Sequence, residues 1–370
     1  LAFLLHVERV HDSYGAAGLV LAATSVGQAI AGPLTSRWMG VWGMRKVIVT
    51  TTIVSATAIG AIAFTVLPVP LYMVIGLIAG LSWPPIQPAV RTIYPKMVNS
   101  KQLTPLFSLD ASAQEIIWVV GPVITTLVAT QIGTVQAIVL ALAFFIGGGA
   151  WFVASPEVGQ VRIPRSRRKL GVVLSRPPVL LATVVGFLLV GSAASVEAGV
   201  VATFDHGSAD AGIVLAIFAV GSLVGGLAFG HMQIGPWALA RRMFIVFVGM
   251  ALAALFLDFW WLSITLFLAG VGIAPALAVM FSIVSASVKF SDTAEAYGWV
   301  GTGQLIGAAI GSAAAGFLID ANGSVGAFWV AGVLAFFGVL VPVIFRRAHP
   351  DLRGRDSSPI PDTEPISTIR

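Results

Sequence analysis

Cysteine is absent from this 370-residue sequence, and charge is scarce: 21 Lys and Arg with 16 Asp and Glu, or 10% of the chain. The first absence excludes disulfide scaffolds, thiolate metal sites and thiol nucleophiles. An average soluble domain carries about 25% charged residues, and with so few this chain could not cover a water-facing surface. There is no Gly-x-x-x-x-Gly-Lys phosphate loop, so ATP-driven pumping by this chain is excluded. The five histidines, at 6, 11, 206, 231 and 349, supply no metal-binding pair, and no cofactor is expected. What is plentiful is apolar sequence, 57% of the residues, with a mean hydropathy of +0.95. Such a composition belongs to a polytopic membrane protein.

Apolar runs of about 20 residues suffice to cross a bilayer as helix. They fall near 14–34, 47–66, 71–93, 106–130, 134–154, 179–203, 209–231, 243–258, 261–285, 295–319 and 325–345. That makes eleven full spans, with a partial twelfth at Leu1 to Val7. Arg9 alone among the basic residues falls in a loop that the alternation places outside. The others gather in alternate loops: Arg37, Arg45 and Lys46; Arg91, Lys96 and Lys101; Arg162 to Arg176; Arg241 and Arg242; Lys289; and Arg346 onward. Positive loops stay on the cytoplasmic side. The basic pI of about 9.9 is therefore a topology signal and not a sign of nucleic-acid binding. On this orientation Leu1 to Val7 read as the outer end of a first helix that lacks about 15–20 residues.

The sequence also repeats itself. Gly18, Leu21, Gly27 and Gly32 recur as Gly212, Leu215, Gly221 and Gly226, each 194 positions on. Ala79, Gly80 and Pro85 recur as Ala269, Gly270 and Pro275, and Gln114 and Gly121 as Gln304 and Gly311, each 190 on. Three stretches in one order at nearly one offset imply two related six-helix halves. The expected division is a bundle over 1–155, a basic linker over 156–178, a second bundle over 179–346 and a disordered cytoplasmic tail over 347–370.

Two parallel halves around a central site is the plan of a secondary transporter. The segment Gly32-Pro-Leu-Thr-Ser-Arg37, followed by Gly43-Met-Arg45-Lys46, resembles the G-x-L-a-D-R-x-G-R-R loop signature of the major facilitator superfamily, and a worn copy lies at Gly226 to Arg242. The resemblance, to the bacterial drug and sugar efflux branch, implies two pseudo-symmetric six-helix bundles. It also implies a gate built on Gly32, Arg37, Gly43, Arg45 and Lys46. Ser36 stands where the family has Asp, so the cytoplasmic latch is rebuilt or weakened. Gly121-Pro122 looks like the antiporter Gly-Pro motif without its surrounding glycines, and the fourth helix has only Arg91, near its inner end. Gly32 and Pro33 are expected to let the chain leave its helix.

Proline inside a helix removes a backbone bond and kinks the chain. Pro84 and Pro85 in the fourth span, Pro122 in the fifth and Pro275 in the tenth are candidate hinges, the breaks at 84–85 and 275 lying at matching places in the two halves. Acids within spans are rare and functional by default. Glu115, Glu197 and Asp110 are the candidates for proton coupling, because a carboxyl without a cationic neighbour prefers its neutral form in a dry site and ionises when water enters. Trp83, Trp118, Gln87, Gln114 and Gln304 are candidate cavity residues, although packing and interhelical bonding suit the same side chains. Asp292 and Glu295, at the start of the eleventh span, read as helix N-terminal capping.

The expected protein is an all-α polytopic transporter with no enzymatic chemistry, acting as a monomer in a plasma membrane of the bacterial inner-membrane type. Both termini of the full-length chain are cytoplasmic in this reading. Its partners are a small organic solute, protons and lipid. Proton-coupled efflux is the first expectation. Proton-coupled uptake, or a transporter-like sensor or lipid-handling protein without turnover, are the alternatives.

Overall fold

A computed structural model of the chain describes residues 2–11, 13–166, 168–204, 210–230, 232–355 and 357–362. In order, the helices are α1 (Ala2–His11), α2 (Tyr14–Trp42), α3 (Met44–Phe64), α4 (Val69–Leu81), α5 (Ile86–Met97), α6 (Ser100–Gln131) and α7 (Thr134–Ala154). After the short α8 (Pro156–Gln160) come α9 (Pro177–Thr203), α10 (Asp210–Phe229), α11 (Ala238–Ala253), α12 (Phe259–Ser285), α13 (Phe290–Asn322) and α14 (Val325–Ile344). Nine spans among the described residues are long and apolar enough to cross a membrane, α4 and α5 counting together as one. Large apolar side chains on the outer faces, such as Trp151 and Phe317, are open to the surroundings, which suits hydrocarbon rather than water.

Within the first half α2 packs on α4, and α3 on α4 and α7; within the second, α9 packs on α13 and α14, and α12 on α10 and α11. The halves meet where α2 crosses α13 and where α6 crosses α10 and α12. The repeated glycines are where backbones approach. A Cβ on Gly27 would sit 2.6 Å from the Leu77 carbonyl of α4, and its counterpart Gly221 lies equally hard against Phe267 of α12. Between the halves, Gly32 of α2 abuts Gly298 of α13: a Cβ on Gly298 would lie 2.6 Å from the Gly32 carbonyl. Its repeat Gly226 abuts Ser112 and Ser108 of α6, and the Ser108 hydroxyl donates to the Gly226 carbonyl at 2.7 Å. Ser108 and Ser112 lie 190 positions before Gly298 and Thr302, so one contact is built twice, once on each side of the pseudo-symmetric assembly.

The prolines behave differently from expectation in two places. Pro84 and Pro85 do break the span, α4 stopping at Leu81 and α5 starting at Ile86. Pro275 does not, and α12 runs unbroken from Phe259 to Ser285. Neighbouring helices bond to the backbone on both sides of it: the Ser222 hydroxyl accepts the Ala274 N–H at 3.2 Å, and Arg242 donates to the Pro275 carbonyl at 2.7 Å. Pro33 does not end its helix either; α2 continues to Trp42. The carbonyl it leaves without a donor is that of Ala29, four residues back, and the Thr302 hydroxyl from α13 fills it at 2.7 Å. The chain turns instead at Gly43, whose φ of 86° favours glycine.

Other boundaries also move. His6 to His11 lie on α1 and not in a loop, and His6 is buried with Nδ1 3.1 Å from the Thr134 hydroxyl. The ninth span ends at Ala253, earlier than its apolar run, because the Trp261 indole donates to the Leu252 carbonyl and Asp258 caps the next helix through the Trp261 N–H. The expected disorder of the tail fails as far as residue 362. Leu352 N–H donates to Ile234, Ile360 exchanges backbone bonds with Val288 and Phe290, and the Asp362 carboxylate accepts the Ser291 N–H at the start of α13. Residues 363–370 lie outside the described residues.

Two glycines on α13 separate seam contact from helix propensity. Gly298→Ala forces a Cβ into the Gly32 backbone and should lower the thermal unfolding midpoint of the purified protein. Gly301→Ala, where a Cβ meets nothing within 4 Å, should leave it unchanged or raise it, helix propensity alone favouring Ala by about 1 kcal/mol.

Candidate functional site

The ends of α2 and α13 that carry the gate residues are joined by charge. Arg37 donates to the Glu295 carboxylate at 3.0 Å and also to the Arg168 carbonyl of the segment linking α7 to α9. Glu295, almost fully buried, accepts the Gly171 N–H at 2.8 Å as well. One turn earlier, Asp292 accepts the Ser166 hydroxyl at 2.6 Å and lies 3.9 Å from Arg168. Asp292 and Glu295 are thus not simple caps for their helix: they bind α2 and the linker across the seam. The missing Asp at Ser36 is made good from the other half, while the Ser36 hydroxyl turns inward to the Gly32 carbonyl. Arg45 stays within its own half, donating to the Ser155 carbonyl at 3.1 Å, and Lys46 is exposed. Of the three basic gate candidates, only Arg37 joins the halves in this arrangement.

Deeper along the same seam lies a pair that the residue-by-residue reading missed. Arg91 on α5 is 2% exposed and donates through Nε to Asp110 on α6 at 2.9 Å. Its guanidinium lies 3.7 Å from the centroid of the Phe281 ring of α12, and Phe281 is the repeat partner of Arg91 at an offset of 190. The Tyr94 hydroxyl donates to the other Asp110 oxygen at 3.1 Å, and Phe107, Phe281 and Tyr297 pack around the group. A signal for this pair was available. Met97 and Ser100 nearly join α5 to α6, so residues a few turns to either side of that hairpin fall at similar depth. Arg242, also buried, was missed too; its partner is a backbone carbonyl, which no side-chain pattern announces.

Past this plug, further from the basic end, sit the remaining acids. Glu115 on α6 lies near Ser222 of α10 and within longer electrostatic range of Glu197 on α9. Glu197 is exposed by accessible surface. Among the described residues no Lys or Arg pairs with either acid. Each half thus contributes one acid without a basic partner, whereas Asp110 is paired with Arg91.

The cavity candidates divide. Gln87 donates to Gln114 at 3.1 Å, and Gln114 donates to the Asp110 carboxylate at 3.2 Å, so both belong to the charged plug. Gln304 packs on Gly186 of α9, its amide nitrogen buried without a partner. The repeat equivalents of Gln87 and Asp110 are Leu277 and Val300, which leaves Gln304 no equivalent mates. Trp83 is 41% exposed and stacks on Phe145 of α7 at 5.2 Å, on a helix that packs against α1, α3 and α6 and not on the seam. It is a peripheral residue, not a neighbour of Glu115. The side chains of Trp118 and Pro122 lie outside the described residues.

Removing Arg37 should therefore act at a distance. Arg37→Gln leaves Glu295 short of its cation, at a cost between the surface and buried limits for ion pairs, about 1–3 kcal/mol. Amide hydrogen exchange over the first turns of α13 should accelerate in Arg37→Gln and stay unchanged in Arg45→Gln. Equal effects from the two variants would contradict the assignment of the cross-seam contact to Arg37.

Comparison with known proteins supports the architecture. The family model of the Major Facilitator Superfamily matches residues 2–257 and 193–369. Comparison with curated protein sequences gives no match. Among solved structures, a bacterial homologue of the iron transporter ferroportin in an outward-facing state superposes with a TM-score of 0.74 at 13% identity, covering 93% of this chain and 94% of that one. The human organic anion transporter TETRAN gives 0.69 at 16% identity over 89% and 83%, and the E. coli fucose:proton symporter 0.67 at 16% over 94% and 93%. At such identities these likenesses carry the fold alone. The family match over nearly the whole chain, on two helical bundles with a seam at the loop signature, makes this protein a multi-pass membrane protein of the major facilitator superfamily, a family of secondary transporters.

Proposed function

We propose that the chain exports a small organic solute by proton-coupled alternating access, with Glu115 and Glu197 carrying the protons. The observation behind this reading is that Glu115 on α6 and Glu197 on α9, one from each half, lie within long helices and form no ion pair with Lys or Arg among the described residues. A carboxyl away from counter-charges changes its proton affinity when water enters or leaves the space around it. If that space opens to opposite sides in two conformations, proton binding and the conformational switch become one equilibrium. Asp110 is not assigned this role, because it is engaged in an ion pair with Arg91; it belongs to the closure at the basic end.

Efflux is preferred to uptake because Gly121-Pro122 on α6 resembles the antiporter Gly-Pro motif. The asymmetry of Lys and Arg supports an inner-membrane orientation with the basic face cytoplasmic. The division into bundles at a linker over 156–178, and action as a monomer, complete the proposal. The similar solved structures include a proton symporter and an organic anion transporter, so coupling and solute class follow from this chain's own acids and not from its fold.

Proteoliposomes under an imposed pH gradient test the reading. Solute moving against the proton flow marks antiport, and solute moving with it marks symport. No flux for any candidate solute would support the non-transporting alternative. Glu115→Gln should abolish gradient-driven accumulation, and Glu197→Gln should weaken it, while counterflow exchange persists in both. Unchanged pH-driven accumulation in both variants would remove these acids from the proton path.

A further inference from the structure

A half-open space lies away from the central acids, on the basic face of the second half. It has a volume of about 410 Å³, within the range of small-ligand sites, roughly 300–1,000 Å³. Its floor is apolar, made by Phe229 of α10, Ile245 of α11 and Val271 of α12. Arg241, Arg242 and Arg353 line the same space. Arg242 is only 7% exposed, and its guanidinium gives one donor to the Pro275 carbonyl. Among the described residues no carboxylate pairs with Arg241 or Arg242. Arg353, from the tail, shares its charge with Asp351, which that guanidinium holds ionised well below the usual carboxylate range, at about 2. Arg346 adds a further cation over the Trp237 ring at the rim. The other titratable group facing Arg242 is His349, which burial pushes toward its neutral form.

A buried guanidinium without an acid, next to a second one and over an apolar floor, is matched by an anion that has an apolar part. The rim is suited to the same guest. Met232 and Trp237, both lining the space, are exposed apolar side chains at the turn between α10 and α11. The pseudo-symmetric position in the first half provides a contrast. There a more open space of about 320 Å³ has Arg45, Lys46 and Arg162 on its wall, none of them buried, and Arg45 is turned to the Ser155 carbonyl.

We infer that the space between α10, α11, α12 and the tail binds the phosphate headgroup of an anionic glycerophospholipid, the phosphate on Arg241 and Arg242 and an acyl chain along Phe229, Ile245 and Val271. Basic pockets at a membrane face are suited to such headgroups. The lipid would tie the tail, through Arg353, to the turn between α10 and α11. It would also brace Arg242 against the proline carbonyl of α12 in the arrangement closed at the basic end. This inference does not depend on the proton-coupling proposal, since it concerns a separate site.

Native mass spectrometry of the full chain released from detergent tests it, with phosphatidylglycerol, phosphatidylcholine and inorganic phosphate as probes. One phosphatidylglycerol should be retained in preference to phosphatidylcholine. The double variant Arg241→Gln, Arg353→Gln, altering surface side chains, should lose roughly thirtyfold in that retention, the share of two surface guanidinium contacts. Arg162→Gln should lose none. A wild-type chain without preference for the anionic lipid, or a double variant that keeps it, would overturn the assignment. So would protection by inorganic phosphate that depends on Arg241 without any lipid preference, since the anion would then be a soluble one.

Discussion

In hydrocarbon, a backbone carbonyl that loses its helical donor must find another, because no water replaces it. The seam of this protein is organised around that requirement. Pro33 frees the Ala29 carbonyl of α2, and the donor is the Thr302 hydroxyl of α13, from the other half. Gly32 and Gly298 let the two backbones come close enough for that bond, and Arg37 with Glu295 adds charge one turn further toward the basic end. On the opposite side of the assembly, Gly226 receives the Ser108 hydroxyl in the corresponding way. The loop signature that marks the family is therefore more than a set of positive charges. Its glycine lies at the crossing of two helices, and its proline creates an acceptor that the crossing satisfies.

A seam of this kind holds firmly and can still part. Small residues offer close contact without interlocking side chains, and the cross-seam polar bonds are few. At the other ends of the same helices a Cβ on Gly18, Gly121 or Gly212 would meet nothing within 4 Å, so the glycine-mediated contact between halves is confined to the basic end. Charge is treated in two ways along the path. Arg91 and Asp110 neutralise each other inside an aromatic plug, which suits closure. Glu115 and Glu197, one in each half, have no ion-pair partner among the described residues, which suits proton exchange. Breaking the first pair would strand a buried guanidinium; protonating either acid removes a charge that has no partner.

Much of the fold was legible in the sequence, and for identifiable reasons. Helix positions follow from apolar runs, the orientation reading from Lys and Arg placement, and the internal repeat from glycines that mark helix crossings in both halves. What was not legible depended on tertiary partners. Pro33 and Pro275 read as breaks because proline lacks a donor, and whether a neighbour supplies Thr302, Ser222 or Arg242 cannot be seen along one helix. Asp292 and Glu295 read as caps because their contacts with Ser166 and Arg37 lie 126 and 258 residues away. Trp83 read as a cavity residue from its proximity to the proline break, but the break points it at Phe145. The tail read as disordered from composition, and its described residues, as far as 362, are held instead by backbone bonds that composition does not encode.

The account holds that the halves rock about this seam and that protonation near Glu115 biases the rocking. The cysteine-free sequence makes the direct measurement simple, since any introduced cysteine is the only one. Spin labels at Val66 and Leu255 report the outer end, and labels at Met97 and Ser287 the basic end; double electron–electron resonance in lipid nanodiscs gives both distances as pH is lowered. The predicted result is reciprocal, one distance shortening as the other lengthens, with the pH response lost in Glu115→Gln. Distances that stay fixed, or that change in the same sense at both ends, would contradict it.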